Sequence, residues 1–144
     1  MRGNPVRAKL RKGGTVLGHM AFEFFTPGLC QIVANAGGEF VLFDTEHSGA
    51  GIETIKSQVA YARGTGIVPL VRVPGSHYHL VAPMLDAGVM GIMVPMVETA
   101  EQAASIASWC RYRHHLAMSA ACPGVSTIGT MMPITPASSI GAIR

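Results

Sequence analysis

The stretch that decides the fold is residues 39–75, EFVLFDTEHSGAGIETIKSQVAYARGTGIVPLVRVPG. It contains two apolar runs, at 40–43 and 67–71, and each run ends at a charged residue, Asp44 and Arg72. Between them, residues 52–63 place their apolar side chains on one face of a helix. Short, wholly apolar strands on either side of an amphipathic helix are typical of parallel strands that are buried on both faces. The stretch therefore predicts a β-α-β unit.

The same unit repeats along the chain in both directions. Strands are predicted near residues 15–19, 40–44, 67–72 and 90–95, and helices over 27–36, 52–63, 78–87 and 99–110. The result is an α/β chain with four β-α units before residue 112. A doubly wound sheet and half of an eight-stranded barrel both fit this repeat, and periodicity alone does not separate them.

The composition limits the class of protein and its partners. Hydrophobic residues make up 49% of the chain and charged residues 13%, which excludes a disordered or nucleic-acid-binding tail. The net charge of +3 comes mostly from a basic N-terminal cluster, which we interpret as a solvated face. No apolar run is long enough to span a membrane, so we expect no membrane as partner. The basic cluster has no interleaved aromatic residues, so we expect no nucleic acid as partner either. The three widely spaced cysteines indicate a reducing cytoplasm.

Ionisable residues follow the predicted strands at the points where the strands end. Asp44, Glu46 and His47 come directly after the second strand, Arg72 ends the third, and Glu98 follows the fourth. The carboxyl ends of parallel strands form the catalytic face of such folds, so these side chains are predicted to meet in one pocket. An arginine fork suits a carboxylate-bearing substrate, and a histidine can move a proton near neutral pH. An Asp after a strand, such as Asp44, is equally typical of a plain turn residue.

Four strings in this order resemble the HpcH/HpaI aldolase family: FDTEHSG (43–49), VPLVRVP (68–74), LDAG (85–88) and VPMVETAEQA (94–103). These are metal-dependent class II pyruvate aldolases related to 2-keto-3-deoxy acid aldolases, and the resemblance covers residues 14–112. It implies the N-terminal half of a TIM (β/α)8 barrel, and it favours the barrel over the doubly wound sheet. Family members are carbon-carbon lyases that cleave 4-hydroxy-2-oxo acids to pyruvate, or a related 2-oxo acid, and an aldehyde. They use a divalent metal (Mg, Mn or Co) and assemble as homo-oligomers.

The resemblance also implies roles for three residues. His47 matches the proton-transfer histidine, Asp86 its acidic partner, and Arg72 the substrate-binding group that holds the 2-oxo acid and stabilises the enolate. The family's metal ligands, a Glu and an Asp, lie on the fifth and sixth strands, so no metal ligand is assigned in this chain. We therefore expect the 144-residue chain to be inactive alone. The alternative is a non-catalytic half barrel that binds a 2-oxo acid or a full-length paralogue.

The last 32 residues differ from the rest of the chain. Residues 113–144 contain no acidic residue and no helical or alternating period, so we predict a domain over 1–112 followed by an irregular tail over 113–144. One interpretation is a shifted reading frame, because the shifted codons of residues 129–133 permit His-Asp-Asp-Ala, close to a His-Asp-Asp-Tyr segment of some family members. A genuine short variant and a subunit completed by another chain remain open alternatives.

Overall fold

A computed structural model of the chain describes residues 3–111, 126–127 and 140–143. The helices of this part of the chain are α1 (Pro5–Arg11), α2 (Leu29–Asn35), α3 (Ile52–Tyr61), α4 (Tyr78–Asp86) and α5 (Ala100–Cys110). The first four strands are β1 (Val16–Ala21), β2 (Phe40–Asp44), β3 (Val68–Arg72) and β4 (Gly91–Met93). All four predicted strands and the four helices that alternate with them are present.

The four strands lie side by side in chain order, and every neighbouring pair is parallel. Buried residues of α2, α3, α4 and α5 form one apolar core with alternate strand residues such as Val41, Phe43 and Val71. These four helices therefore cover the same face of the sheet. A sequential strand order with right-handed crossovers requires this arrangement, whereas a doubly wound sheet carries helices on both faces. The half-barrel prediction is confirmed.

The opposite face of the sheet carries a second apolar cluster. Phe40, Leu42, Val68 and Leu70 are all buried there, one residue out of step with the residues that face the helices. Successive side chains of a strand point to opposite faces, so a strand that is apolar throughout is buried on both. By the same alternation, the last residues of β2 and β3 belong to this second face.

The N-terminal segment differs from the sequence prediction. It was predicted to be a solvated basic face, and it forms a helix, α1, that is partly buried. Asn4 caps it by accepting a hydrogen bond from the Arg7 N–H at 3.0 Å, and Pro5 occupies its first turn. The Asn4 carboxamide also donates to the Met90 carbonyl at 3.0 Å, and Val6 is buried in the second cluster. Lys9 and Arg11 thus lie on the exposed side of a helix whose apolar side contributes to the core.

Two short strands extend the sheet at its edges. β5 (Ser126–Thr127) is parallel to β4, and β6 (Ile140–Ile143) is antiparallel to β1. The sequence predicted no strand or helix in this tail. The two strands form because β4 and β1 lie at the edges of the four-stranded sheet, where their backbone N–H and C=O groups can pair with another segment. The rest of the tail and the predicted boundary at residue 112 lie outside the described residues. Within those residues, no helix is long and apolar enough to cross a membrane.

Candidate active site

The candidate site lies where β2 and β3 end. Asp44 is the last residue of β2 and Arg72 the last of β3, and the two occupy paired register positions. Both side chains belong to the face that carries Phe40 and Leu70. Because parallel strands end at the same edge of a sheet, the sequence places these two charges next to each other once the register is set.

Asp44 and Arg72 form a buried, two-point ion pair. Nε and Nη2 of Arg72 donate to the two carboxylate oxygens of Asp44 at 2.7 and 2.9 Å, and the side chains are 9% and 0% exposed respectively. Burial alone would raise the pKa of Asp44, but the hydrogen bonds from Arg72 and from the backbone outweigh it, so this pKa lies below its ordinary value. The Asp44 hydrogen bond also raises the pKa of Arg72. Both groups are therefore charged across the physiological range.

The same carboxylate shapes the loop after β2. Its oxygens accept from the backbone N–H of Glu46 at 3.1 Å and of His47 at 3.0 Å, while the Ser48 hydroxyl donates to the Asp44 carbonyl. Thr45 ties the loop to β3 through its N–H and its hydroxyl, which both donate to the Arg72 carbonyl, at 2.9 and 2.6 Å. Asp44 is therefore both a turn residue and the partner of Arg72. The sequence predicted either a turn residue or a side chain of the pocket, and it did not predict the pairing with Arg72.

Glu46 lies between Arg72 and His47. Its Oε2 is 3.1 Å from Arg72 Nε and 3.7 Å from His47 Nε2. The His47 side chain is 65% exposed, so the imidazole lies at the open side of the rim. The prediction that His47 and Arg72 share one rim agrees with this geometry. Glu46 has no role that the sequence alone predicts, because only the tertiary structure shows that its carboxylate reaches both residues.

The guanidinium of Arg72 also lies close to an aromatic side chain, Phe22. The ring centroid of Phe22, which follows β1, lies 5.7 Å from Arg72 Cζ, within range of a cation–π contact. Asp44 occupies the Nε and Nη2 edge of the guanidinium, so the hydrogen bonds from Arg72 to the described residues leave from Nε and Nη2. Nη1 is therefore the end of the fork that can still donate to an anionic ligand.

Asp86 does not join this group within one chain. It is the last residue of α4, and residues 87–90 lead directly from it to the amino end of β4. His47 follows the carboxyl end of β2, so the two residues lie at opposite ends of the strand layer, which a five-residue strand makes about 13 Å deep. The assignment of Asp86 as the acidic partner of His47 stays a prediction.

The described residues do not supply a ligand set for the divalent metal that the resemblance implies. They contain no group of three or more His, Cys, Asp or Glu side chains that could hold a metal ion. The carboxylates at the rim are engaged otherwise, since both Asp44 oxygens and one Glu46 oxygen contact Arg72. Glu98 lies at the start of α5, where its backbone N–H donates to the Gln102 side chain at 2.8 Å.

Four sequential β-α units with ionisable groups at the strand ends define a chain of the (β/α)8-barrel class. The family model for HpcH/HpaI aldolase/citrate lyase matches residues 22–123, and the chain belongs to this family. A crystal structure of an HpcH/HpaI aldolase from Desulfitobacterium hafniense is similar with a TM-score of 0.70 and 31% identity, over 74% of this chain and 41% of that one. The family assignment made from the four strings is confirmed.

Curated relatives agree with this assignment. The hydroxypyruvate/pyruvate aldolase of Roseobacter denitrificans is 36% identical over 111 residues, covering 76% of this chain and 42% of that protein. The 4-hydroxy-2-oxovalerate aldolase of Novosphingobium aromaticivorans is 38% identical over 113 residues, again covering 76% and 42%. The chain thus spans about two fifths of the length of the curated relatives it matches.

Proposed function

We propose that this chain carries the part of an aldolase site that holds a 2-oxo acid and moves a proton. The reaction is the cleavage of a 4-hydroxy-2-oxo acid to pyruvate, or a related 2-oxo acid, and an aldehyde. The observation that carries the proposal is the arginine held by Asp44 at the same rim as His47, with Glu46 between them. A fixed guanidinium beside an exposed imidazole suits an anionic substrate that must lose a proton.

In the proposed reaction, Arg72 acts on charge and His47 on the proton. The Nη1 end of Arg72 binds the 2-oxo acid and stabilises the enolate that forms when the C3–C4 bond breaks and its electron pair moves toward the C2 oxygen. The imidazole of His47 accepts the proton of the 4-hydroxyl as C4 becomes the aldehyde carbon. Return of this proton from His47 to C3 of the enolate then gives the 2-oxo acid and restores the neutral imidazole. Since Asp44 fixes the guanidinium before substrate arrives, little reorganisation is needed during the reaction.

For the whole protein, we propose the divalent metal dependence that the family resemblance implies, with ligands outside the described residues. For the 144-residue chain alone, we expect no metal-stimulated cleavage of 4-hydroxy-2-oxo acids. We also propose a reducing cytoplasmic location. Cys30 and Cys110 are free and buried, and burial raises the pKa of Cys30 to about 11, which keeps the thiol protonated and unreactive.

Binding of pyruvate to the full chain tests the proposal. In an NMR titration with MgCl2 present, we expect saturable shifts in the backbone amides of residues 44–48, and their loss in Arg72→Ala. The matched control is Arg63→Ala, which removes an exposed arginine beyond the end of α3 and should leave binding unchanged. Unchanged pyruvate binding by Arg72→Ala would contradict the proposal.

Turnover is measured separately from binding. The chain is incubated with 4-hydroxy-2-oxopentanoate and Mg²⁺ or Mn²⁺, and pyruvate release is followed. We expect no release above the uncatalysed rate. Release that a chelator and His47→Ala both abolish would show that this chain binds the metal through residues other than those described.

A further inference from the structure

Phe22 is an exposed aromatic side chain that the proposed reaction does not use. It follows β1 at the rim and remains 42% exposed although its ring lies 5.7 Å from Cζ of Arg72. An apolar ring left partly open beside the group that would hold the substrate is available to contact whatever that group binds. The part of a ligand that extends past Arg72 would therefore meet the exposed part of the Phe22 ring.

The loop that carries Phe22 is held in place by its neighbours. Phe25 turns inward and packs against the fully buried Phe43, with ring centroids 6.3 Å apart. Between Phe22 and Phe25 the chain makes a tight turn in which Phe24 has a φ of 58°. The carbonyl of Phe24 accepts a hydrogen bond from the Thr26 N–H at 2.6 Å. Phe25 thus anchors the loop to the core, and this places the neighbouring Phe22 at the rim beside Arg72.

The charges near Phe22 disfavour a second anionic group on the ligand. Arg72 is already shared by the carboxylates of Asp44 and Glu46, so the three groups together carry one net negative charge. Glu23, the residue after Phe22, is exposed on the same loop and adds further negative charge. A ligand with a second carboxylate at its far end would be repelled by these groups.

We infer that the site selects 2-oxo acids whose distal end is an apolar aliphatic or aromatic group, with Phe22 as the specificity-determining side chain. The inference rests on the proposed function, since it requires the oxo acid to bind at Arg72. C4 lies two bonds beyond the oxo carbon, so a substituent there is close enough to cover the ring of Phe22. The ring offers no hydrogen-bond partner to a hydroxyl-rich chain, and the surrounding carboxylates oppose an acidic one.

Ligand ranking on the unmodified chain is the first test. Pyruvate, 2-oxohexanoate and 2-oxoglutarate are titrated separately into the full chain with MgCl2 present, and dissociation constants are obtained from the NMR shifts of residues 44–48. We expect 2-oxohexanoate to bind about fivefold more tightly than pyruvate, because its propyl group buries part of its surface against the ring. We expect 2-oxoglutarate to bind at least about tenfold more weakly than 2-oxohexanoate, because it adds a carboxylate near an acidic rim.

Substitution of Phe22 is the second test. Phe22→Ala should abolish the preference for 2-oxohexanoate while changing the pyruvate affinity by no more than about threefold, the size of a lost exposed cation–π contact. Phe22→Leu should retain part of the preference, because it remains apolar. Tyr61→Ala is the matched control, since Tyr61 is also 42% exposed but lies at the end of α3, and it should leave the ranking unchanged.

The outcomes separate this inference from the proposed function. If the chain binds none of the three acids, the proposed function and the inference both fail. If it binds pyruvate and 2-oxohexanoate equally, or if Phe22→Ala keeps the preference, only the inference fails. The ranking on the unmodified chain decides the matter even if a Phe22 variant does not fold.

Discussion

The carboxylate of Asp44 holds Nε and Nη2 of Arg72 at 2.7 and 2.9 Å, and the two residues face each other in register at the ends of adjacent strands. The same carboxylate accepts the backbone N–H groups of Glu46 and His47. One buried side chain therefore fixes both the arginine and the loop that carries the histidine. We therefore expect substitution of Asp44 to lower the free energy of unfolding, because Asp44 holds other residues and is not itself assigned to the reaction.

Asp44→Asn keeps the shape of the side chain but leaves the buried charge of Arg72 without its partner. Breaking a buried pair in this way costs about 3–5 kcal/mol, so we expect a loss of about 3 kcal/mol in the free energy of unfolding, measured by urea denaturation at neutral pH. The control is Glu53→Gln, which breaks the exposed Lys56–Glu53 pair and should cost less than about 1 kcal/mol. Equal losses for the two variants would contradict the structural role of Asp44.

The pH dependence of stability should reveal the same pair. The pKa of Asp44 is lower in the folded chain than its ordinary value, so the folded state binds the proton less readily than the unfolded state. Its contribution is therefore fully present above the unfolded-state pKa of about 3.9, and it is lost as pH falls through the lower folded-state value. Urea denaturation between neutral and strongly acidic pH should show a smaller acid-induced loss in Asp44→Asn than in the unmodified chain. Parallel profiles for the two proteins would show that Asp44 does not titrate with a lowered pKa.

Gly18 allows β1 and β2 to approach closely at the start of their pairing. A Cβ at this position would lie 2.5 Å from both the ring and the backbone carbonyl oxygen of Phe40, so neither strand could accept it without moving. We expect Gly18→Ala to lower the free energy of unfolding by about 1–3 kcal/mol. Gly28→Ala is the control: a Cβ there would lie 4.0 Å from Cδ1 of Ile32, an ordinary contact, and the substitution should be close to neutral. Tolerance of both substitutions would argue against the β1–β2 register.

We expect Arg72 to be required for binding of the oxo acid and His47 for proton transfer only. His47 is largely exposed, and Asp44 holds Arg72 without it. We therefore expect His47→Gln to change the pyruvate dissociation constant by no more than about threefold, whereas Arg72→Ala abolishes binding. The same NMR titration measures both variants. A loss of pyruvate binding in His47→Gln as large as in Arg72→Ala would mean that the imidazole also holds the oxo acid.

The sequence by itself determined the strand and helix order and the edge where the site lies. Apolar runs that end in Asp44 and Arg72, separated by amphipathic helices, specify parallel strands whose charged ends meet at one edge. These signals are local, because each strand or helix repeats its own period within a short window. The choice of a barrel over a doubly wound sheet came from the family strings, and the sequential strand order agrees with it.

Only the tertiary structure decided which side chains touch. The pairing of Asp44 with Arg72, the position of Glu46 between Arg72 and His47, and the ring of Phe22 beside the guanidinium all depend on strand register and loop conformation. Local periodicity fixes which face a residue occupies, whereas contacts between residues far apart in the chain are set by how the strands align and how the loops pack.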